Sequence, residues 1–231
     1  MARDARDRNV AGFGRWADSY DRSLLQRLLF APVHHCMLGQ TAKMCPAPSS
    51  VLDIGCGTGL FLRKAAERFW SAQLTGIDAA EDMVRVAQAL VPEDASVRFA
   101  QALAEQVPFP DASFDLVVTS MSFHHWTDQQ KALSEARRVL SPGGVFVLAD
   151  LLATGPAGIF LAGNRWGHFK SPAALDEMLR STGFDVERFI RVPKVPGCVQ
   201  VALARRPHPL PDLAKPTVNS ALVPEGNLQT G

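Results

Sequence analysis

The chain has 231 residues, of which 47% are hydrophobic and 20% are charged. This length fits one full-sized α/β domain, and the composition is ordinary for a globular protein. Lysine plus arginine number 24 against 23 for aspartate plus glutamate, a net charge of +1, which argues against a broad nucleic-acid or anionic-membrane footprint.

The sequence shows no pattern typical of a signal peptide, a membrane span or a paired-cysteine motif. Its first residues alternate charges, and no uncharged apolar run reaches about 18 residues, so neither a signal peptide nor a membrane span is predicted. The four cysteines form no C-x-x-C pair. We therefore expect reduced thiols in a cytoplasmic protein.

The first predicted elements are helical. Residues 12–44 contain two such stretches, SLLQRLLF and PVHHCMLGQTAK, which have too many apolar positions for a free tail. We expect residues 1–48 to form a helical cap that packs over the mouth of a sheet. His34 and His35 are neighbours on one helix and should point apart, one buried and one solvated.

Strand-like runs and helical patterns then alternate within residues 49–206. The predicted strands are short and rich in β-branched or aromatic residues, at 49–54, 72–77, 96–100, 114–120 and 143–150. The predicted helices between them are 59–70, 80–90 and 127–140. We expect the third helix to begin at an N-cap Thr127 and to stop at the Ser-Pro-Gly-Gly of residues 141–144. This alternation is typical of βαβ units and a parallel sheet.

The pattern loosens after residue 150. Residues 151–170 are glycine-rich and long enough to suggest a substrate loop. A helix is predicted from Ser171 to about Thr182, with Gly183 after it. Two further strands, 184–192 and 198–206, should form an antiparallel pair that closes the sheet. The proline-rich residues 207–231 are expected to be a flexible tail.

The sequence VLDIGCGTGL, residues 51–60, carries three alternating glycines behind an apolar run. A dinucleotide fingerprint needs G-x-G-x-x-G, but here Leu60 occupies the sixth position, and no G-K-[ST] follows to make a Walker loop. Asp53 would repel a pyrophosphate and favour an ammonium or sulfonium group. Asp78 ends the next strand-like run, where a carboxylate can accept both hydroxyls of a ribose. S-adenosylmethionine meets these requirements and NAD does not, although both aspartates could also be plain caps.

The ordered segments D-I-G-C-G-T-G, G-I-D, V-P-F-P-D-A-S-F-D and L-S-P-G-G resemble those of class I S-adenosylmethionine-dependent methyltransferases. The likeness is greatest to the small-molecule branch that includes the ubiquinone and menaquinone biosynthesis methyltransferases. It covers residues 12–150 by motif and 151–206 by architecture. The resemblance implies an α/β, Rossmann-like sheet of seven mostly parallel strands, with helices on both faces and the last strand antiparallel.

The resemblance also implies the residues that bind the cofactor. They surround the methionine, the ribose and the adenine, and are Tyr20, Asp53, Gly55, Gly57, Gly59, Asp78, Ala79, Met83, Ala104 and Ser120. Relatives commonly carry, at the position of Leu103, an Asp that binds the adenine amine. Either Gln101 or a backbone carbonyl is expected to replace it, or adenine recognition is weaker.

Catalysis at the activated sulfonium needs mainly positioning and desolvation of the acceptor and, where required, removal of a proton. Histidine suits that last role. His124 and His125 follow the fourth predicted strand, and His168 lies in the long loop; packing or helix capping is the alternative for each. Asp150 could orient the substrate or the long loop. No acidic cluster indicates a metal.

The expected function is methyl transfer from S-adenosylmethionine to an O, N or C atom of a small apolar, aromatic or polyketide-like metabolite. No nucleic-acid partner is expected, and a homodimer is left open. Three alternatives stay open as well: an NAD(P)-binding Rossmann protein, a methyltransferase-like binding protein without turnover, and an RNA or protein methyltransferase, which no basic stripe supports.

Overall fold

A computed structural model describes residues 26–93, 95–155, 168–195 and 197–209. Tyr20, the first part of the predicted cap, most of the predicted substrate loop and most of the predicted tail lie outside the described residues. The described part contains the whole predicted sheet together with the helices that flank it.

Seven strands form one sheet in the order β3-β2-β1-β4-β5-β7-β6. Their bounds are β1 Ser50–Ile54, β2 Gln73–Asp78, β3 Val97–Gln101, β4 Phe114–Ser120, β5 Leu140–Leu151, β6 Asp185–Arg191 and β7 Val199–Arg205. Strands β1 to β5 pair in parallel, whereas β7 pairs antiparallel with both β5 and β6. The predicted sheet, with its antiparallel last strand, is confirmed.

Helices cover both faces of the sheet. Their bounds are α1 Ala31–Met44, α2 Leu60–Arg68, α3 Glu81–Ala89, α4 Gln129–Val139 and α5 Pro172–Ser181, and a π-helical turn, Gln26–Phe30, precedes α1. Successive residues of β1 show the alternation of faces: Val51 packs in the cluster of α1 to α3, and Leu52 packs in the cluster of α4 and α5. The two cores therefore lie on opposite faces of the sheet.

Helix α1 lies on the sheet beside α2 and contacts β4 and β5. Its Val33 and Met37 are fully buried. His34 is buried and His35 is exposed, as their neighbouring positions on a helix predict. The described part of the N-terminal region therefore belongs to the packed core, while the boundary of a cap at residue 48 stays a prediction.

Two features predicted around α4 were wrong, the N-cap residue of the helix and the start of the strand that follows it. The N-cap is Asp128 rather than Thr127, because the Asp128 carboxylate accepts the Lys131 N–H at 2.9 Å. The helix ends at Val139, as a strand follows at once: β5 runs through the Ser-Pro-Gly-Gly segment instead of starting after it. Backbone hydrogen bonds of Gly143 and Gly144 with Arg206 extend the pairing there. The helix stop signal was read correctly, but the glycines do not make a loop.

Candidate cofactor and acceptor site

A pocket opens at the carboxyl ends of β1, β2 and β4, which is the crevice where α/β sheets bind ligands. Most of the predicted site residues line it: Asp53, Gly55, Gly57, Asp78, Ala79, Met83, Ala104, Ser120 and His125. Three others, Gly59, His124 and His168, lie outside its wall. Tyr20 falls outside the described residues.

The glycines of the turn between β1 and α2 have different surroundings. All three have positive φ, 74° at Gly55, 54° at Gly57 and 76° at Gly59, a region that favours glycine. A Cβ on Gly55 would collide with the Ser122 side chain, and one on Gly59 would collide with the ring of Phe99. A Cβ on Gly57 would meet no atom within 4 Å. Two glycines thus serve internal packing, and Gly57 faces open space.

Asp78 ties the glycine turn to β2. Its carboxylate accepts the Gly57 N–H at 2.8 Å and the Ala80 N–H at 2.9 Å. Burial raises the pKa of Asp78 although these two N–H donors act against the shift. A carboxylate has about four acceptor positions, so the structural role and the predicted contact with ribose hydroxyls are compatible.

Asp53 is a buried carboxyl group in the wall of the pocket. The side chain is 1% exposed, and its Oδ1 has no hydrogen-bond partner among the described residues. Burial, and then the charge of Asp78, raise the pKa of Asp53 to about 8. A cation bound beside this carboxyl would supply the missing partner and stabilise the ionised form.

The side of the pocket predicted for adenine is apolar. Ala79, Met83, Leu103 and Ala104 line it. Gln101, one of the two expected substitutes for the missing Asp, is not in the wall, and its amide donates to the Ala79 carbonyl at 3.1 Å. This geometry favours a backbone carbonyl as the acceptor for the adenine amine.

A 3₁₀ turn, Phe123–His125, follows β4 and contains two neighbouring histidines, which have different surroundings. His125 lines the pocket. His124 is buried behind it: its Nδ1 lies 2.5 Å from Asp150 Oδ1, and its backbone N–H donates to Asp150 Oδ2 at 2.9 Å. The His124 ring stacks on Phe169, with the ring centroids 4.6 Å apart.

His168 contacts the same turn from the far side. Its N–H donates to the His124 carbonyl at 2.7 Å, and its Nδ1 lies 3.2 Å from the Trp126 carbonyl. The Gln129 amide donates to the carbonyls of Phe123 and His168, at 3.0 and 2.8 Å. His168 is therefore one of the groups that fix the conformation of the turn.

Sequence reasoning missed two contributions to this site. Gln129 was not singled out at all, and His34 was considered only as a packing residue. Asp150 was singled out, but not its pairing with His124. That pair had a usable signal, because β4 and β5 are sequential parallel strands whose carboxyl ends meet at one edge.

Two absences concern the described residues. Among them, no three His, Cys, Asp or Glu side chains are grouped closely enough to bind a metal ion. No helix in the same ranges has the length and apolar character needed to cross a membrane.

Comparison with known proteins gives matches to methyltransferases. Residues 52–148 match the family model described as "Methyltransferase domain". A demethylmenaquinone methyltransferase from Deinococcus radiodurans is 30% identical over 201 residues, 74% of this chain and 83% of that protein. The uncharacterized methyltransferase YcgJ from Bacillus subtilis is 41% identical over 110 residues, 46% of this chain and 42% of that relative. The match therefore spans less than half of the Bacillus protein.

A solved structure gives the same result for the fold. The crystal structure of an S-adenosylmethionine-dependent methyltransferase from Aquifex aeolicus has a TM-score of 0.67 at 21% identity, covering 84% of this chain and 98% of that chain. At this identity the likeness concerns the fold alone.

The fold and the pocket define a Rossmann-like methyltransferase. The unpartnered Asp53 oxygen and the open space at Gly57 fit a ligand with a cationic amino-acid end. With the relatives included, the chain belongs to the class I S-adenosylmethionine-dependent methyltransferases, and S-adenosylmethionine is its cofactor. The class and the cofactor predicted from the sequence are confirmed.

Proposed function

We propose that the protein methylates an O, N or C atom of a small apolar acceptor of aromatic or polyketide-like structure. The observation that carries this proposal is the part of the pocket wall next to the Phe123–His125 turn, where His125 stands with the apolar Met121 and Trp126. A highly charged acceptor would lose hydration against these two apolar side chains, whereas an apolar acceptor would not. The Deinococcus relative, by its name, methylates demethylmenaquinone, which supports an apolar aromatic acceptor.

The residues in the wall of the pocket support an assignment of cofactor contacts. Asp53 accepts the cofactor's ammonium group, Gly57 leaves room for its amino-acid chain, and Asp78 accepts the ribose hydroxyls. The adenine lies between Met83 and the wall made by Ala79, Leu103 and Ala104, with Ser120 at the end of β4. When bound, the cofactor supplies a methyl group already activated on a sulfonium centre.

We assign His125 as the general base, the group that removes a proton from the molecule to be methylated. It is the histidine of the Phe123–His125 turn that lines the pocket, and a base must reach the proton that it removes. His124 acts as a positioning residue: Asp150 fixes it, and its ring centroid lies 3.9 Å from that of His125. His168 positions the turn through its bonds to the carbonyls of His124 and Trp126.

A methyl-transfer assay tests this proposal. The purified protein is incubated with S-adenosylmethionine carrying an isotopically labelled methyl group and with a panel of hydroquinones, phenols and aromatic polyketides. We expect labelled product from at least one apolar aromatic acceptor. Binding of S-adenosylhomocysteine without transfer to any panel member would instead favour a binding protein without turnover.

We also propose a cytoplasmic location. All four cysteines lie in the described residues and are free thiols, which suits a reducing compartment. A homodimer stays a prediction.

A further inference from the structure

His34 is a buried imidazole that the roles assigned so far do not use. It is 4% exposed and lines the pocket from α1, and its Nδ1 has no hydrogen-bond partner among the described residues. Burial, and then the charge of Lys64, lower the pKa of His34 to about 3, so the ring is neutral at physiological pH. A buried polar nitrogen without a partner costs free energy, and a ligand group that hydrogen-bonds to this ring would recover part of that cost.

Two phenylalanine rings fix the orientation of His34. The ring of Phe30 stands edge-on at a centroid distance of 6.1 Å, and the ring of Phe61 stands edge-on at 5.5 Å. Both phenylalanines also line the pocket. The imidazole is therefore preorganised, and a ligand that uses it loses little side-chain entropy on binding.

The N-terminus of α2 opens on the same wall. Thr58, Leu60 and Phe61 line the pocket, the N-cap Gly59 offers no side-chain cap, and the first turn contains no acidic residue. The first N–H groups of a helix lack intrahelical partners and carry partial positive charge. The N-terminus of α2 therefore favours an anion. The neutral His34 ring can donate an N–H to such an anion, and the charge of Lys64 acts on the same ring.

We propose that His34 and the N-terminus of α2 form a carboxylate subsite for the amino-acid end of the cofactor, with His34 donating an N–H to that carboxylate. The inference rests on the proposed placement of the methionine end at the glycine turn. Asp53 lies in the same wall and takes the ammonium group, so this end of the pocket distinguishes a zwitterion from a simple amine. The acceptor is the weaker candidate for His34, because an apolar acceptor has no anion to place at a helix N-terminus.

Binding calorimetry with two ligands tests the proposal without any methyl transfer. The ligands are S-adenosylhomocysteine and its decarboxylated analogue, and the proteins are the wild type, His34→Phe and His34→Gln. Phenylalanine keeps a ring between Phe30 and Phe61, and glutamine keeps an N–H donor. His35→Gln is the matched control, since His35 is the exposed neighbour on α1. Melting temperatures without ligand check that each variant is folded.

We expect His34→Phe to weaken S-adenosylhomocysteine binding by about 10- to 100-fold, the range for a hydrogen bond to a charged group, and to leave the analogue unchanged. His34→Gln should retain most of the affinity, and His35→Gln all of it. The wild type should also prefer S-adenosylhomocysteine over the analogue by about tenfold or more, a comparison that needs no variant.

Three results would overturn the inference. Equal losses for both ligands would make His34 a packing residue, and equal wild-type affinities would show that no carboxylate subsite exists. A raised acceptor KM with unchanged S-adenosylhomocysteine binding would place His34 against the acceptor. Separately, a folded wild type that binds neither ligand would refute the proposed function, and this inference with it.

Discussion

Asp150 binds His124 through both of its carboxylate oxygens, one 2.5 Å from the ring Nδ1 and the other 2.9 Å from the backbone nitrogen. Asp150 is fully buried at the end of β5, and His124 follows the end of β4. The pair therefore joins two neighbouring strand ends beneath the pocket. Since the next residue, His125, lines the pocket, the position of that ring depends on a carboxylate that does not itself line the wall.

Replacing Asp150 with Asn tests this dependence. The amide cannot accept both hydrogen bonds, so the turn should lose its fixed geometry and kcat should fall by about 10- to 100-fold, as small misplacements of a reacting group do. The Kd of S-adenosylhomocysteine should change less than threefold. Asp128→Asn is the control, because asparagine also caps a helix, and its kcat should stay near that of the wild type. An unchanged kcat in Asp150→Asn would refute the positioning role.

The base itself is tested by separate substitution of the two histidines. His125→Ala should lower kcat by roughly 10²- to 10⁴-fold, the span of general-base catalysis, and should remove the acidic limb of the pH–rate profile. His124→Ala should lower kcat less and keep the limb, because it only positions its neighbour. If both variants keep the limb and near-normal rates, catalysis depends on proximity and desolvation alone, as expected for an acceptor that ionises by itself.

Cofactor binding should be linked to a proton on Asp53. The pKa of Asp53 is about 8 without ligand, and the cofactor's ammonium group lowers it, so binding releases a proton below that pH. We expect the affinity to rise with pH between about 6 and 8, by up to tenfold per unit. Calorimetry in buffers of different ionisation enthalpy measures the proton release. In Asp53→Asn, which should bind weakly, no release is expected.

The stability of the ligand-free protein should show the opposite dependence on pH. The folded pKa of Asp53 lies above its ordinary value of 3.8, so its contribution is fully present below that value and is lost as pH rises toward about 8. The melting temperature of wild type minus that of Asp53→Asn should therefore fall over this window. A difference that is constant with pH would show that Asp53 is already ionised in the free protein.

Two glycines of one turn should respond differently to substitution. Gly57→Val places its side chain in open pocket space, so it should abolish S-adenosylhomocysteine binding while costing stability only through its positive φ, about 1–2 kcal/mol. Gly55→Ala drives a methyl group into Ser122 and should lower the melting temperature more. Calorimetry and thermal unfolding of both variants separate the two effects. A folded Gly57→Val protein with normal affinity would contradict the placement of the cofactor.

The sheet could be predicted from the sequence because hydrophobic patterning and turn residues act locally. Strand β4 has the predicted bounds, and the other strands except β5 differ by one residue at their ends. Strand β5 begins earlier because its Gly143 bonds with Arg206, a partner 63 positions away along the chain. Local signals do not contain such a pairing.

The residues of the pocket wall could be predicted where they belong to a sequence motif, but not where tertiary packing determines the position of a side chain. The wall residues Asp53, Gly57 and Asp78 follow from the spacing of the glycine turn. The sequence ranks His124 and His125 equally, and only the 3₁₀ turn places one in the wall and the other against Asp150. The raised pKa of Asp53 was likewise hidden, since it results from burial and from the nearby Asp78.

The two ends of the loop predicted to contact substrate are hydrogen-bonded to each other, and one of them is also bonded to the turn that follows β4. The Ala153 N–H donates to the Lys170 carbonyl at 2.8 Å, and the His168 N–H donates to the His124 carbonyl at 2.7 Å. Because the entropic cost of closing a loop grows only slowly with its length, we expect a change in the number of residues between these hydrogen bonds to cost little loop-closure entropy. The methyl acceptor could thus change during evolution through changes in this loop, while the sheet keeps the residues that bind the cofactor.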